Sequence, residues 1–310
     1  MNRFAFFKVL CITVLVAALP VLGYWYVGVY STEAPLRAAA EGELRQTADQ
    51  LAAEVDAWID ENRAALTEAA ALPGVKAMEP AALQAAVDRV DGDHEWVYVA
   101  HVVDTAGNNV ARSDGKPLVY YGDRGYFKAI VDDGAPFAHI VAIGRTNNQP
   151  ALVLAQAITD AQDQLAGLIV TGTRLADISA TVVDRRLGET GYAILVDDNR
   201  RAIAHGDAAT IGAVLMDLDA HPALQTPAFD QVQTIVADGV EKLALVKPLE
   251  LGWQLVFLQH TAEAHAAVAE RYNTLWLVTG SALALALAVS VLLARRGPKG
   301  AAGPLDTVSS

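Results

Sequence analysis

Arg124 stands in the stretch GDRGYFKAIVDDG, residues 122–134. A guanidinium cannot give up its proton, so in apolar surroundings it must meet an anion. Phe127, Ile130 and Val131 fall at the i, i+3, i+4 spacing of one helix face. Arg124 lies a turn before Phe127 on that face, with Tyr126 beside it. The anion is either an internal carboxylate, Asp104 and Asp114 being the candidates, or one brought from outside the chain. Asp123 has the type and place of a helix N-cap. Upstream, in EWVYVAHVVD (95–104), strand alternation puts Trp96, Tyr98 and Ala100 on one face and His101 on the other. Gln156 interrupts the apolar run LVLAQAI, where a buried amide needs partners. Arg145, Thr146 and Asn147 read as a loop beside these residues.

Other chemistries find no support in the sequence. Cys11 is the sole cysteine, which rules out a disulfide within the chain and a cysteine-based zinc site. The seven histidines show no HExxH or similar ligand spacing, so neither a metal nor a cofactor is expected. GxGxxG, P-loop and GxSxG motifs are missing, and no acid, base and nucleophile cluster together. An enzyme is not expected.

Two stretches are long enough to cross a bilayer, Val9–Tyr30 and Thr274–Ala294, each without a charged residue. The first is too long for the apolar core of a signal peptide, and Trp25, Tyr26 and Tyr30 have the character of an interfacial belt. Arg3 and Lys8 precede the first span, and Arg295, Arg296 and Lys299 follow the second. Both termini are therefore expected in the cytoplasm, with residues 31–273 outside. That outer part holds 35 of the 36 acidic residues and 18 of the 23 basic ones. A surface so acidic repels nucleic acid. A disulfide-free acidic domain between two anchors suits the outer side of a bacterial inner membrane.

Between the anchors, residues 32–72 carry a helical seam of Leu44, Leu51, Val55, Trp58, Ile59 and Leu66, ended by Pro73-Gly74. A short helix follows over 79–90. Strand signals occupy 95–104, 109–114, 137–144, 150–158 and 165–175, with the Arg124 helix (123–132) between the second and third. The order then recurs: a helix over 176–184, a strand–turn–strand over 191–205, and strands over 233–238, 242–249 and 253–260. Residues 261–273 return as a helix. VYVAHVVDTAGNNVARSD and GYAILVDDNRRAIAHGD read as copies of one module.

This arrangement resembles the double Cache (tandem PAS-like) sensor domains of bacterial chemoreceptors and sensor kinases. The resemblance covers nearly all of residues 31–273 and rests on VVDTAGNNVARSD…DRGYFKAI, its spacing to PALVLAQAITDAQDQLAGLIV, and the second module. It implies an α+β fold in which a long stalk helix (31–74) carries a membrane-distal Cache module (75–185) and a membrane-proximal one (186–273). Each is an antiparallel sheet with flanking helices. Residues 1–8 are an N-terminal cytoplasmic segment, 9–30 and 274–294 the anchors, and 295–310 a cytoplasmic tail.

The resemblance further implies a small ligand in the distal module. Arg124 matches the position that holds a ligand carboxylate, with Tyr126 and Phe127 as its aromatic pair. Tyr121, Trp96, Tyr98, Gln156 and Thr171 complete the candidate ligand contacts. Two positions depart from the amino-acid-binding pattern. Gly172 stands where those members place an aspartate for the ligand's ammonium, and Val119 stands where they place a tyrosine, with Tyr120 and Tyr121 adjacent. The implied ligand is thus a small organic acid without an amine. The 16 or so residues after the second span hold no output domain, so a signalling protein acting in trans is expected as partner, and a homodimer is compatible. The alternative is a binding or scaffold module of an envelope complex that transmits nothing.

Overall fold

The computed structural model describes residues 19–28, 33–145, 147–207 and 215–295. The segments 1–18 and 296–310, and with them most of the first expected span, lie outside the described residues. The chain divides into two units, residues 43–263 and the terminal stretches 1–42 with 264–310.

In the terminal unit, α1 is helical over 19–28 and α9 runs Ala266–Arg295. Trp25 Nε1 donates to Thr279 Oγ1 at 2.8 Å. Within α9, Ala266–Val289 is long and apolar enough to cross a membrane, with a mean hydropathy of 1.5. This stretch begins eight residues before the uncharged run, because two charges in its first turns do not cancel the apolar majority.

The helix α2 spans Glu33–Ala71 as one element. Leu44, Leu51, Val55, Ile59 and Leu66 along its seam are fully buried, while Trp58 is only partly so. Proline disfavours helical backbone in the residue before it, and α2 stops just before Leu72-Pro73. A single turn α3 (Pro73–Lys76) leads to α4 (Pro80–Asp93).

Two sheets follow. The first contains β1 (Val97–Asp104), β2 (Asn109–Arg112), β3 (Phe137–Ile143), β4 (Pro150–Thr159) and β5 (Leu165–Arg174), with α5 (Gly125–Val131) between β2 and β3. The second follows α6 (Leu175–Asp184) and contains β6 (Tyr192–Val196), β7 (Arg201–His205), β8 (Met216–Asp217), β9 (Gln233–Ala237), β10 (Val240–Pro248) and β11 (Gln254–His260). The short α7 (Pro222–Gln225) precedes β9, and α8 (Thr261–Ala264) follows β11. Strand orders are β2-β1-β5-β4-β3 and β8-β7-β6-β11-β10-β9. Apart from the edge strand β8, these are the same topology. The pairing is antiparallel between neighbours in both sheets.

The repetition extends to turn chemistry. Asp104 Oδ1 accepts the backbone N–H groups of Ala106 and Asn108. Asp197 Oδ1 accepts those of Asn199 and Arg201, again two and four residues on. An aspartate that ends a strand in this way fixes the hairpin by mimicking a backbone turn.

Both modules hold α2. On its C-terminal half, Thr173 Oγ1 of β5 donates to Asn62 Oδ1 at 3.1 Å, a buried bond. Further towards its N-terminus, Lys247 pairs with Asp49 at 2.7 Å, Arg185 pairs with Glu54, and the Glu250 N–H donates to Asp56 Oδ1 at 2.9 Å.

Candidate functional site

The first sheet is packed on one face by α5. Val103, Ala155, Leu168 and Val170 from the strands meet Tyr126, Phe127 and Ile130 from the helix. Where this packing gives out, beyond the N-terminus of α5, a cavity of about 30 Å³ opens, lined among others by Tyr98, His101, Tyr121, Arg124, Tyr126 and Arg145. It has room for one or two water-sized groups, such as the head of a carboxylate. A larger groove of about 140 Å³ lies between α2 and α4, around Leu72, Ala86 and Val90. None of its lining residues carries an unpartnered buried polar atom, and its Arg89 and Asp93 pair with each other.

A break in the β1 ladder shapes the cavity floor. Val97 pairs with Thr173 and Val99 with Gly172, so Tyr98 is the extra residue of a bulge. An extra residue reverses the alternation on one side of it. Tyr98 therefore shares the cavity with His101, against the expectation that they face apart. Two glycines make space for its ring. A Cβ on Gly172 would lie 2.6 Å from the Tyr98 ring carbon Cζ, and one on Gly144 would lie 2.5 Å from the Tyr98 hydroxyl oxygen.

Arg124 is the N-cap of α5, with extended backbone (φ −80°, ψ 144°). It is not on the helical stripe, because the helix begins one residue later at Gly125. Its side chain instead leaves the helix end and lines the cavity. Its Nε is buried and unpartnered. Neither internal acid reaches it. Asp114 is taken by Arg112 in a two-pronged pair, Nε to Oδ1 at 2.6 Å and Nη2 to Oδ2 at 2.8 Å. Asp104 is used by its own turn. Asp123 does not cap the helix either; its carboxylate pairs with Arg145 across the mouth, which holds the carboxyl below its ordinary range.

The remaining polar groups form one connected wall. Arg112 Nη1 donates to the Tyr121 hydroxyl at 3.0 Å. The Tyr121 ring stacks on His101 with centroids 4.5 Å apart. His101 is 4% exposed, and both its ring nitrogens lack partners. Burial, reinforced by the Arg112 and Arg124 charges, pushes the imidazole pKa down to about 3. Burial likewise raises the Tyr98 and Tyr126 hydroxyls. No carboxylate is among the cavity's lining residues.

Four of the residues singled out from sequence thus converge: Arg124, Tyr126, Tyr121 and Tyr98. The other four do not line the cavity. Phe127 is buried in the core beneath α5. Trp96 precedes β1, its ring against His94 at 5.4 Å. Gln156 lies on the opposite sheet face from Val153 and Ala155, its Nε2 donating to the Pro136 carbonyl at 2.9 Å. Thr171 alternates with Gly172 and so faces α2, on the side where Thr173 bonds Asn62. His101 is added to the lining, and Arg112 supports it from behind through the Tyr121 hydroxyl. Among the described residues no three His, Cys, Asp or Glu side chains gather as metal ligands would.

Two sheet modules of one topology, threaded on a long helix and with a cationic, aromatic cavity in the first, define a tandem sensory fold. The family model for the double Cache domain matches residues 32–268, and the chain belongs to the Cache domain family. Cache domains are ligand-binding sensor modules and not enzymes. The fold is similar to that of the ligand-binding domain of the Pseudomonas fluorescens chemoreceptor CtaA, solved with L-isoleucine (TM-score 0.62, 16% identity, 77% of this chain and 99% of that one). It is also similar to the ligand-binding domain of the Campylobacter jejuni chemoreceptor Tlp3, solved with L-valine (0.59, 12%, 76% and 98%). A third is that of the Pseudomonas aeruginosa amino acid chemoreceptor PctB with L-Arg (0.58, 16%, 72% and 96%).

Proposed function

We propose that this chain is a membrane-anchored extracytoplasmic sensor whose first module binds a small carboxylate lacking an amine, and which signals through a partner protein. The observation that carries the reading is Arg124, a half-buried arginine whose Nε is buried and without a carboxylate partner among the described residues, beside a cavity with no acidic lining residue. A planar guanidinium can give a carboxylate two parallel N–H···O bonds. Tyr98, Tyr121 and Tyr126 supply the aromatic walls. The similar solved domains hold amino acids, but an ammonium here would have the unpaired Arg124 beside it and no acid among the lining residues, and the Tyr98 ring covers Gly172. An acid without the amine avoids that repulsion.

In this reading residues 9–30 and 274–294 anchor the chain, 31–74 form the stalk, and 75–185 and 186–273 are the distal and proximal modules, placed outside a bacterial inner membrane. A thermal-shift screen of short organic acids and amino acids on the full chain in detergent tests it. Stabilisation by an amine-free acid supports the proposal. Tight binding of an α-amino acid defeats the amine argument, and no shift with any acid leaves the scaffold reading standing. Reporter fusions at residues 150 and 305 test the topology, with the first expected outside and the second inside.

A further inference from the structure

His101 is not explained by the packing around it. It is 4% exposed, and both its ring nitrogens lack partners. Buried polar groups are nearly always paired, since an unmade bond costs more inside a protein than in water. Its neighbours are already committed. Arg112, opposite it in the β1–β2 register, is spent on Asp114 and the Tyr121 hydroxyl. The Tyr121 ring offers His101 a stacking face, and the strand carries it into the cavity that Arg124 lines.

A neutral imidazole presents one N–H donor and one bare nitrogen acceptor. The acceptor repels a carboxylate oxygen and requires an O–H or N–H from its partner. An ammonium would fill that role only beside the Arg124 charge, with no carboxylate in the lining to offset it. A hydroxyl carries no such penalty. The small volume also requires the hydroxyl to sit within a bond or two of the carboxylate that Arg124 takes.

Resting on the carboxylate reading above, we propose that His101 reads a hydroxyl group on the bound acid, so that this module selects short 2-hydroxy acids over the same acids without the hydroxyl. His101 then accepts from, or donates to, the hydroxyl while Arg124 holds the carboxylate.

The test is calorimetry on the full chain in detergent with four probes of equal carbon number: L-lactate, propionate, pyruvate and L-alanine. Lactate should bind about tenfold more tightly than propionate, the order expected for one buried hydrogen bond whose absence leaves a group unsatisfied. Pyruvate, which accepts but does not donate, should fall between them, and alanine should be weakest. In His101→Phe, which keeps the stack on Tyr121, the lactate-to-propionate ratio should collapse to near one. Equal binding of lactate and propionate by the unaltered chain overturns the inference while leaving the Arg124 reading intact. So does a ratio that survives His101→Phe. Failure of all three amine-free acids to bind sinks the carboxylate reading and this inference with it. The first comparison needs no variant, so it does not depend on His101→Phe folding.

Discussion

Replacing Arg124 by alanine separates two roles that one half-buried arginine can have. A guanidinium in an internal ion pair leaves a stranded carboxylate when removed, at a cost of about 3–5 kcal/mol. Arg124 has no such partner among the described residues: Asp114 belongs to Arg112, Asp104 to its turn and Asp123 to Arg145. Its Nε is buried without a bond, so its removal relieves an unmet donor as much as it loses packing. Arg124→Ala should therefore fold with a melting temperature close to that of the parent. Its effect should fall on the ligand, where charge-assisted hydrogen bonds contribute about 1.5–3 kcal/mol, a loss of roughly 10- to 100-fold in affinity. Arg124→Lys should recover only part of this, because an ammonium cannot make the planar fork. Titration calorimetry with the best acid from the screen, alongside thermal melts without ligand, measures both quantities. A variant that unfolds, or one that keeps full affinity, refutes the assignment.

The contrasting substitution is Arg112→Ala, which strands Asp114 and the Tyr121 hydroxyl and should cost about 3 kcal/mol in chemical denaturation; a loss under 1 kcal/mol would contradict the pairing. The Asp114 carboxyl is held below its ordinary 3.8, first by the Arg112 hydrogen bonds. Its depressed folded pKa means the stabilisation is complete above pH about 4 and lost as pH falls through the folded value, and Asp114→Asn should flatten that part of the acid-unfolding curve. His101 runs from an ordinary 6.5 to about 3, so below pH 6.5 the unfolded chain binds a proton that the folded one refuses. Between pH 8 and pH 5 this should remove about 2 kcal/mol of stability, a loss that His101→Phe should not show. Gly172→Ala should cost about 1–3 kcal/mol by driving a methyl into Tyr98, and much less in a Tyr98→Ala background; additive costs in a double-mutant cycle would show that the two do not touch.

The sequence was most legible where a pattern had length. The α2 seam, the two strand series and their recurrence followed from periodicity, and the recurrence was confirmed as one strand order in both sheets. The edge strand β8 and the helix α7, of two and four residues, are too short to leave a period. The site was less legible, for one local reason. Alternation assumes an unbroken strand, but the bulge at Tyr98 turns the face over, joining Tyr98 to His101. Arg124 lies at the cavity but in another setting than the helical stripe. The N-cap falls on Arg124 because Arg145, 22 residues on, claims Asp123, and long-range competition of that kind has no local signature. Gln156 and Thr171 were polar residues in apolar strands, a signal that marks burial but not which face is buried. Arg112 and Asp114 stand two residues apart, a spacing that in a strand end lets one side chain reach the other, and it was the clearest signal overlooked.

The clasps on α2 have a mechanical consequence. The second module grips the helix at Asp49 and Asp56, through Lys247 and Glu250, and the first grips it at Asn62. From Asp56 to Asn62 is about 9 Å of helix, less than two turns. A slide of the first sheet along the helix by one turn would break the buried Asn62–Thr173 bond and leave both groups dry. The sheets therefore cannot shuttle independently along this rail. A rearrangement at the floor of the cavity reaches Thr173 through one peptide link from Gly172, and the response open to it is a twist or bend concentrated in that short span. Thr173→Val cuts this tie without touching the cavity wall, making it the substitution that would separate ligand affinity from mechanical output.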